Sequence, residues 1–192
     1  MNRLRLAGLA GLFALLSTPA FAAPGSMQLK GQAKWVSDAP VEKIVGTAEG
    51  TGELSIDLDD LTTLKGKITM PVESMKTGNG QRDEHLKGSD WLDAAQFPNI
   101  EFTVAEVKIT QPTSGDPIKE AKVEVSGDFS LHGVTTRLTA PATLKWKGNQ
   151  VKIATAFQIK LADYQVKGKS GVVGNKVGET IAIDVDIRGE IK

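Results

Sequence analysis

The side chains best suited to chemistry in this sequence are few and cluster in three places. Arg82, Asp83 and His85 put a cation, a carboxylate and an imidazole within four positions. Arg82 and His85 suit contacts to a polar group, while Asp83 suits a helix cap or an ion pair with Arg82, and His85 a hydrogen bond to a strand end. The second histidine, His132, stands in Leu131-His132-Gly133-Val134-Thr135, where Gly133 fits the turn of a tight hairpin. Lys167, Lys169 and Lys176 share the glycine-rich segment Ala162–Gly178, which could hold a phosphate or form a solvated hairpin. With 2 His and 0 Cys, the chain offers no thiolate site, no disulfide and no thiol nucleophile, and neither histidine has a recognised metal-ligand spacing. No G-x-S-x-G elbow is present, and Ser74 and Ser130 fall in strand-like segments without an evident base and orienter.

These residues must be carried by strands. From Gln28 onward apolar residues recur at every second position, the period of a strand with one buried and one wet face. Eight such segments are legible. The first is Leu29 to Trp35, the second Ile44 to Leu58 and the third Leu64 to Val72. Next comes Ile100 to Ile109, with a parity flip across Ala105 and Glu106 that predicts a bulge. The remaining four are Val123 to Leu131, Leu138 to Trp146, Val151 to Leu161 and Ile181 to Ile191. Opposite faces rich in Lys, Glu, Asp, Thr and Ser favour an all-β fold, an eight-stranded antiparallel barrel, with a two-sheet sandwich as the alternative. The stretch Asn79 to Phe97 lacks alternation, and Asp90 to Ala94 suit a short helix or turn, so a helical insert between strands 3 and 4 is expected to lid or plug one end.

Two further features bound the molecule. Residues 1–22 begin with Arg3 and Arg5, continue in an apolar run from Leu6 to Leu16 and end in Ala20-Phe21-Ala22. This is the pattern of a secretory signal peptide, with an apolar run about half the ~20 residues of a membrane span. A single domain is then expected over residues 23–192, working in the periplasm or outside the cell. Lys plus Arg and Asp plus Glu both number 23, so no basic field exists to attract nucleic acid.

The inward parity is rich in small residues: Gly31, Ala33, Gly46, Ala48, Gly50, Gly52, Gly66, Gly127, Ala140, Ala142 and Gly189. They leave a lumen for a long apolar ligand, or relieve strain where strands coil, and both readings stand together. On the lumen reading, Trp35, Leu54, Ile56, Ile68, Met70, Phe102, Phe129, Leu144, Trp146 and Phe157 wall the cavity, and Phe in place of Gly50 or Ala142 fills it. An extended hydrocarbon gains most there, because each buried CH₂ contributes about 0.8 kcal/mol.

Three segments stand out in order along the chain: EKIVGTAEGTGELSIDL (Glu42 to Leu58), PVESMKTGNGQRDEHLKGSDWLDAAQFPNIEFTVAEV (Pro71 to Val107) and VSGDFSLHGVTTRLTAPATL (Val125 to Leu144). Together they resemble the YceI-like family of secreted, lipocalin-like proteins that bind polyisoprenoids, the last with Phe129 where the family usually has Leu. The first strand departs: QAKWVS, Gln32 to Ser37, stands where many members carry a His-Ser pair and a Phe. The resemblance implies a lipocalin-like barrel, a periplasmic or secreted location and an isoprenoid tail in the lumen.

The expectation is therefore a binding protein without catalytic step, metal or resident cofactor, other than a bound isoprenoid lipid or quinone. Trp35, Leu54, Ile56, Ile68, Met70, Phe102, Phe129, Trp146 and Phe157 would line the tail, with Arg82 and His85 at the head. Its partner is a long-chain isoprenoid lipid; the chain does not span a membrane, and a homodimer is left open. The competing reading is an envelope enzyme acting on a lipid-linked substrate through Asp83, His85 and His132. An outer-membrane barrel with apolar faces turned to lipid is disfavoured by the absence of aromatic girdles.

Overall fold

The computed structural model describes residues 24–192; the predicted signal peptide lies outside the described residues. Alternation becomes pairing throughout. The strands are β1 (Gly25–Asp38), β2 (Lys43–Ile56), β3 (Lys65–Pro71), β4 (Asn99–Ser114), β5 (Lys119–Leu131), β6 (Val134–Lys147), β7 (Gln150–Lys160) and β8 (Thr180–Ile191). Each pairs antiparallel with the next, and β8 returns to β1 with Gly31 opposite Ile187, so the sheet closes into an eight-stranded barrel. Closure removes sheet edges and settles the barrel over the sandwich. The apolar parity points inward: along β2, Ile44, Ala48, Leu54 and Ile56 are buried while Lys43, Val45, Glu49 and Glu53 are exposed. The wet face carries cross-strand ion pairs such as Lys145–Glu120 at 2.7 Å and Lys67–Glu101 at 3.0 Å. Such exposed pairs contribute little each.

The expected bulge is present. The β4–β5 register shifts between Val104 and Glu106, so Val104 opposite Gly127 and Val107 opposite Val125 are both buried. Between β5 and β6 the two-residue loop His132-Gly133 has φ of 51° and 74°, the left-handed pair required by a tight hairpin turn.

The insert carries the expected helix between β3 and β4. It is α1, Gly80–Lys87, and residues 90–94 form turns. Asn79 starts it, its Oδ1 accepting from the Arg82 N–H at 3.1 Å, and Gly88 ends it. No residue of α1 is buried, so the apolar periodicity that normally marks a helix is missing here.

The barrel has two unlike ends. The turns β2–β3, β4–β5 and β6–β7 and the start of β1 share one end, where Met27, Leu29, Ile56, Leu144, Trp146 and Val151 pack solidly. The loop β1–β2, the insert, the His132 turn and the loop after β7 share the other. Toward that second end the wall has two breaks in its ladder. β2 pairs with β3 only over Thr51–Ser55, and β6 pairs with β7 only over Ala142–Lys147.

Candidate functional site: an apolar cavity beneath a polar mouth

The half of the barrel away from the solid end is hollow, with a cavity of about 500 Å³, within the usual range for small-molecule sites. Its floor is the top of the solid core: Leu54, Leu64, Val104, Val125, Ile153 and Ile187 belong to both. Of the expected tail-lining residues, Trp35, Leu54, Ile68, Met70, Phe102, Phe129 and Phe157 line the cavity. Ile56 and Trp146 do not reach it. Both are inward-facing, 1% and 5% exposed, but their register puts them in the solid end. Leu144, also expected in the wall, is packed there too.

The small inward residues divide by type. Ala33, Ala48, Ala140 and Ala142 line the cavity. The glycines instead make room for large neighbours that lie flat across them: the Trp35 indole over Gly46, the Phe102 ring over Gly127, Ile187 over Gly31 and Leu29 over Gly189. A methyl at any of these would collide with the covering side chain. Gly50 is likewise closed, because a β-carbon there would sit 2.9 Å from the Thr69 carbonyl oxygen and 3.2 Å from Met70 Cε. Phe at Gly50 therefore strikes the wall instead of filling the lumen, which corrects that expectation, whereas Ala142 borders open space. Trp35, pressed on Gly46, leaves its buried Nε1–H without a hydrogen-bond partner among the described residues.

Polar groups gather at the mouth. Glu42, Thr77, Asn79, Gln81, Arg82, His85 and Lys176 reach the cavity there. Arg82 Nη2 meets Glu42 Oε1 at 2.6 Å, tying α1 to the β1–β2 loop. Asp83 does not pair with Arg82. Its Oδ1 accepts the Thr77 backbone N–H at 2.7 Å and the Thr77 hydroxyl at 2.6 Å, and that hydroxyl bond holds the carboxyl below its ordinary pKa. Lys87 Nζ reaches Glu73 at 3.0 Å, and this contact raises the ammonium pKa. Arg82 and His85, three positions apart on α1, both border the cavity. His85 is exposed, and its ring makes no hydrogen bond among the described residues, so it does not fasten the insert to a strand end.

The loop after β7 roofs the mouth. Val172, Lys176 and Val177 line the cavity from above. Gly168 lies under the Trp91 ring, Lys169 approaches Asp90 at 3.9 Å, and the Gly178 N–H donates to buried Ser37 Oγ at 2.8 Å. Of the three loop lysines only Lys176 reaches the cavity. Sequence reading missed Glu42 and the roof valines. The two valines among glycines were the available signal, whereas nothing local marks Glu42, which matters only because α1 folds over it.

His132 lies outside this group. Its Nδ1 is 3.1 Å from the Tyr164 carbonyl oxygen and Phe97 meets its ring edge to face at 5.0 Å. Asp83, His85 and His132 thus have separate surroundings, and only His85 reaches the cavity. Among the described residues no three His, Asp or Glu side chains come together as a metal site, and no helix is long and apolar enough to cross a membrane.

Known proteins agree with this architecture. Protein YceI of Escherichia coli O157:H7 is 28% identical over 139 residues, 69% of this chain and 68% of that one. The crystal structure of Burkholderia cenocepacia BcnA superposes with a TM-score of 0.70 at 19% identity, covering 83% of this chain and 95% of that one. A domain from Saccharophagus degradans, described as polyisoprenoid binding and implicated in plant cell wall breakdown, does so with a TM-score of 0.68 at 15% identity over 86% and 98%. The YceI-like domain model matches residues 25–189, from the first residue of β1 almost to the end of β8, and the chain therefore belongs to the YceI-like family.

Proposed function

We propose that this protein binds an isoprenoid-type lipid, a polyprenyl chain or the tail of a quinone, in the barrel lumen and carries it outside the cytoplasm. The observation that carries the reading is a cavity lined mainly by apolar side chains along the barrel wall, with most of its polar side chains gathered at one end. Such a space accepts a hydrocarbon lengthwise and leaves its head among polar side chains. Phe102, Phe129, Phe157, Ile68 and Met70 would hold the tail, and Arg82 and His85, facing the cavity from α1, would meet the head. Each buried methylene contributes about 0.8 kcal/mol, so a few five-carbon units outweigh the cost of association. The description of the Saccharophagus degradans domain as polyisoprenoid binding supports this ligand class. The leader pattern of residues 1–22 supports export to the periplasm or beyond.

The reading includes no catalytic step. Asp83 spends one oxygen on Thr77 and His132 does not line the cavity that His85 borders, so the groups an enzyme would have to combine have separate surroundings. Native mass spectrometry of the mature protein, followed by organic extraction, tests the proposal. One isoprenoid lipid per protein is expected. A folded, empty protein that takes up neither added quinone nor polyprenyl lipid overturns it.

A further inference from the structure

The two breaks in the barrel wall are closed in different ways. Where β2 outruns β3, the backbone continues the wall: Thr47 and Lys76 exchange both N–H to O bonds at 2.8 Å, and Ser74 Oγ accepts the Glu49 N–H at 3.0 Å. Where β6 outruns its pairing with β7, no backbone hydrogen bond crosses among the described residues. The ladder stops at Ala142 opposite Thr155, immediately before Pro141, which has no N–H to give. Thr155 instead donates its hydroxyl to the Pro141 carbonyl at 2.7 Å. Beyond that point Val134–Pro141 pair only with β5, and Ala156–Lys160 only with β8.

That seam is stopped by one turn, Leu161–Tyr164, held to the β5–β6 hairpin by side-chain bonds alone. Tyr164 Oη is 2.6 Å from Thr136 Oγ1, and its carbonyl oxygen is 3.1 Å from His132 Nδ1. The Tyr164 ring, 3% exposed, packs edge to face on Phe129, which packs in turn on Phe157. Leu138 and Ala140 on one side of the seam and Phe157 and Ile159 on the other all line the cavity. Behind this turn, therefore, lies the apolar interior, which Leu161 of the turn borders directly and the Tyr164 ring meets through Phe129. The axial mouth, by contrast, is crossed by the Trp91–Gly168 and Asp90–Lys169 contacts of its roof.

We propose that the β6–β7 seam is a lateral port through which the apolar chain enters and leaves the cavity, with Tyr164 as its movable stopper. The port rests on the lipid-binding reading but is separable from it. Swinging the Tyr164 side chain aside breaks its hydroxyl bond to Thr136 and its ring contact with Phe129 but no strand ladder, a smaller change than parting paired strands. The head then follows the tail to the polar rim without the roof opening. This also gives His132 a function, as a post for the stopper.

The test follows the binding rate of a pyrene-tagged hydrocarbon chain by energy transfer from tryptophan in stopped flow. The chain has 0 Cys, so cross-links can be placed freely. Continuing the β6–β7 register puts exposed Thr139 opposite exposed Gln158, and Thr139→Cys with Gln158→Cys, joined by a short bismaleimide, ties the seam from outside. The tie is expected to slow association and dissociation together by about tenfold or more, leaving the affinity unchanged, as for a gated step. Tyr164→Phe, which keeps the ring and loses the Thr136 bond, is expected to speed both. A matching tie across the roof, Asp90→Cys with Lys169→Cys, is expected to leave both rates as they were. Rates that respond to the roof tie and ignore the seam tie overturn the port, as does loss of affinity in the seam-tied protein. If the untied protein binds no apolar chain at all, the lipid-binding reading itself fails, and the port with it.

Discussion

One sheet builds two different interiors. At the solid end Met27, Leu29, Ile56, Leu144 and Ile187 are each at most 2% exposed and interlock. At the other end the same strands, with the same alternation, enclose a cavity, because their inward positions fall to Ala33, Ala48, Ala140 and Ala142. The pleat decides which residues face in, and side-chain volume decides whether they meet. Unfilled volume costs packing energy, so the hollow half relies on the solid half below it and on a wall stiffened by large side chains laid over glycines. The solid end is filled by one buried cluster, whereas at the hollow end a second buried cluster packs around the open space.

Substitutions at the two ends should have different signatures. The largest effect is expected from Leu144→Ala, which empties a fully buried site in the solid end. Urea unfolding should show a loss of about 2–5 kcal/mol, with the folded fraction still binding its ligand. Gly46→Ala drives a methyl into the Trp35 indole. A loss of about 1–3 kcal/mol is expected, together with a change in tryptophan emission as the ring is pushed off the wall. Ala140→Phe occupies the cavity instead. Its unfolding curve should stay close to that of the parent while affinity for an isoprenoid falls by about tenfold or more, equivalent to about 1.4 kcal/mol. A large stability loss there would mean that the hollow half is as tightly packed as the other.

The smallest effect concerns the mouth. The Asp83 carboxyl titrates below its ordinary value in the folded protein because Thr77 bonds the charged form. Its contribution to stability is thus fully present above the usual carboxylate pKa, about 4, and is lost as pH falls through the lower folded value. Asp83→Asn should remove a small, acid-sensitive part of the stability, seen by comparing unfolding at pH 3 to 4 with unfolding near pH 7 (about the window in which a paired carboxylate protonates). Identical pH profiles for the two proteins would deny the Thr77 bond any energetic role.

How legible these ends were in the sequence follows from the physics of each. Strand alternation reports a face directly, so the eight strands, the bulge after Val104 and the His132-Gly133 turn could be read. Depth along the barrel axis is not encoded in alternation. Ile56 and Phe102 look alike as inward residues, yet only register with neighbouring strands shows that one is sealed in the solid end and the other borders the cavity. Nor does composition separate an alanine that leaves space from a glycine that yields it to a neighbour. The exact bounds of α1 were not legible, because it carries no apolar stripe and is bounded by Asn79 and Gly88, whereas Asp90 to Ala94 form the turn that suits them. The Arg82–Glu42 contact joins positions 40 apart and exists only once the insert has folded over the mouth.

The central claim, that one half of the lumen holds a lipid and the other half is solid core, is most directly tested by methyl NMR during titration with a C20 isoprenoid alcohol. The account expects shifts at Ile68, Met70, Leu138 and Ile183, which border the cavity, and still signals at Ile56, Leu144 and Val151 in the solid end. Shifts confined to the solid end or the outer face, or none at saturating ligand, would contradict it.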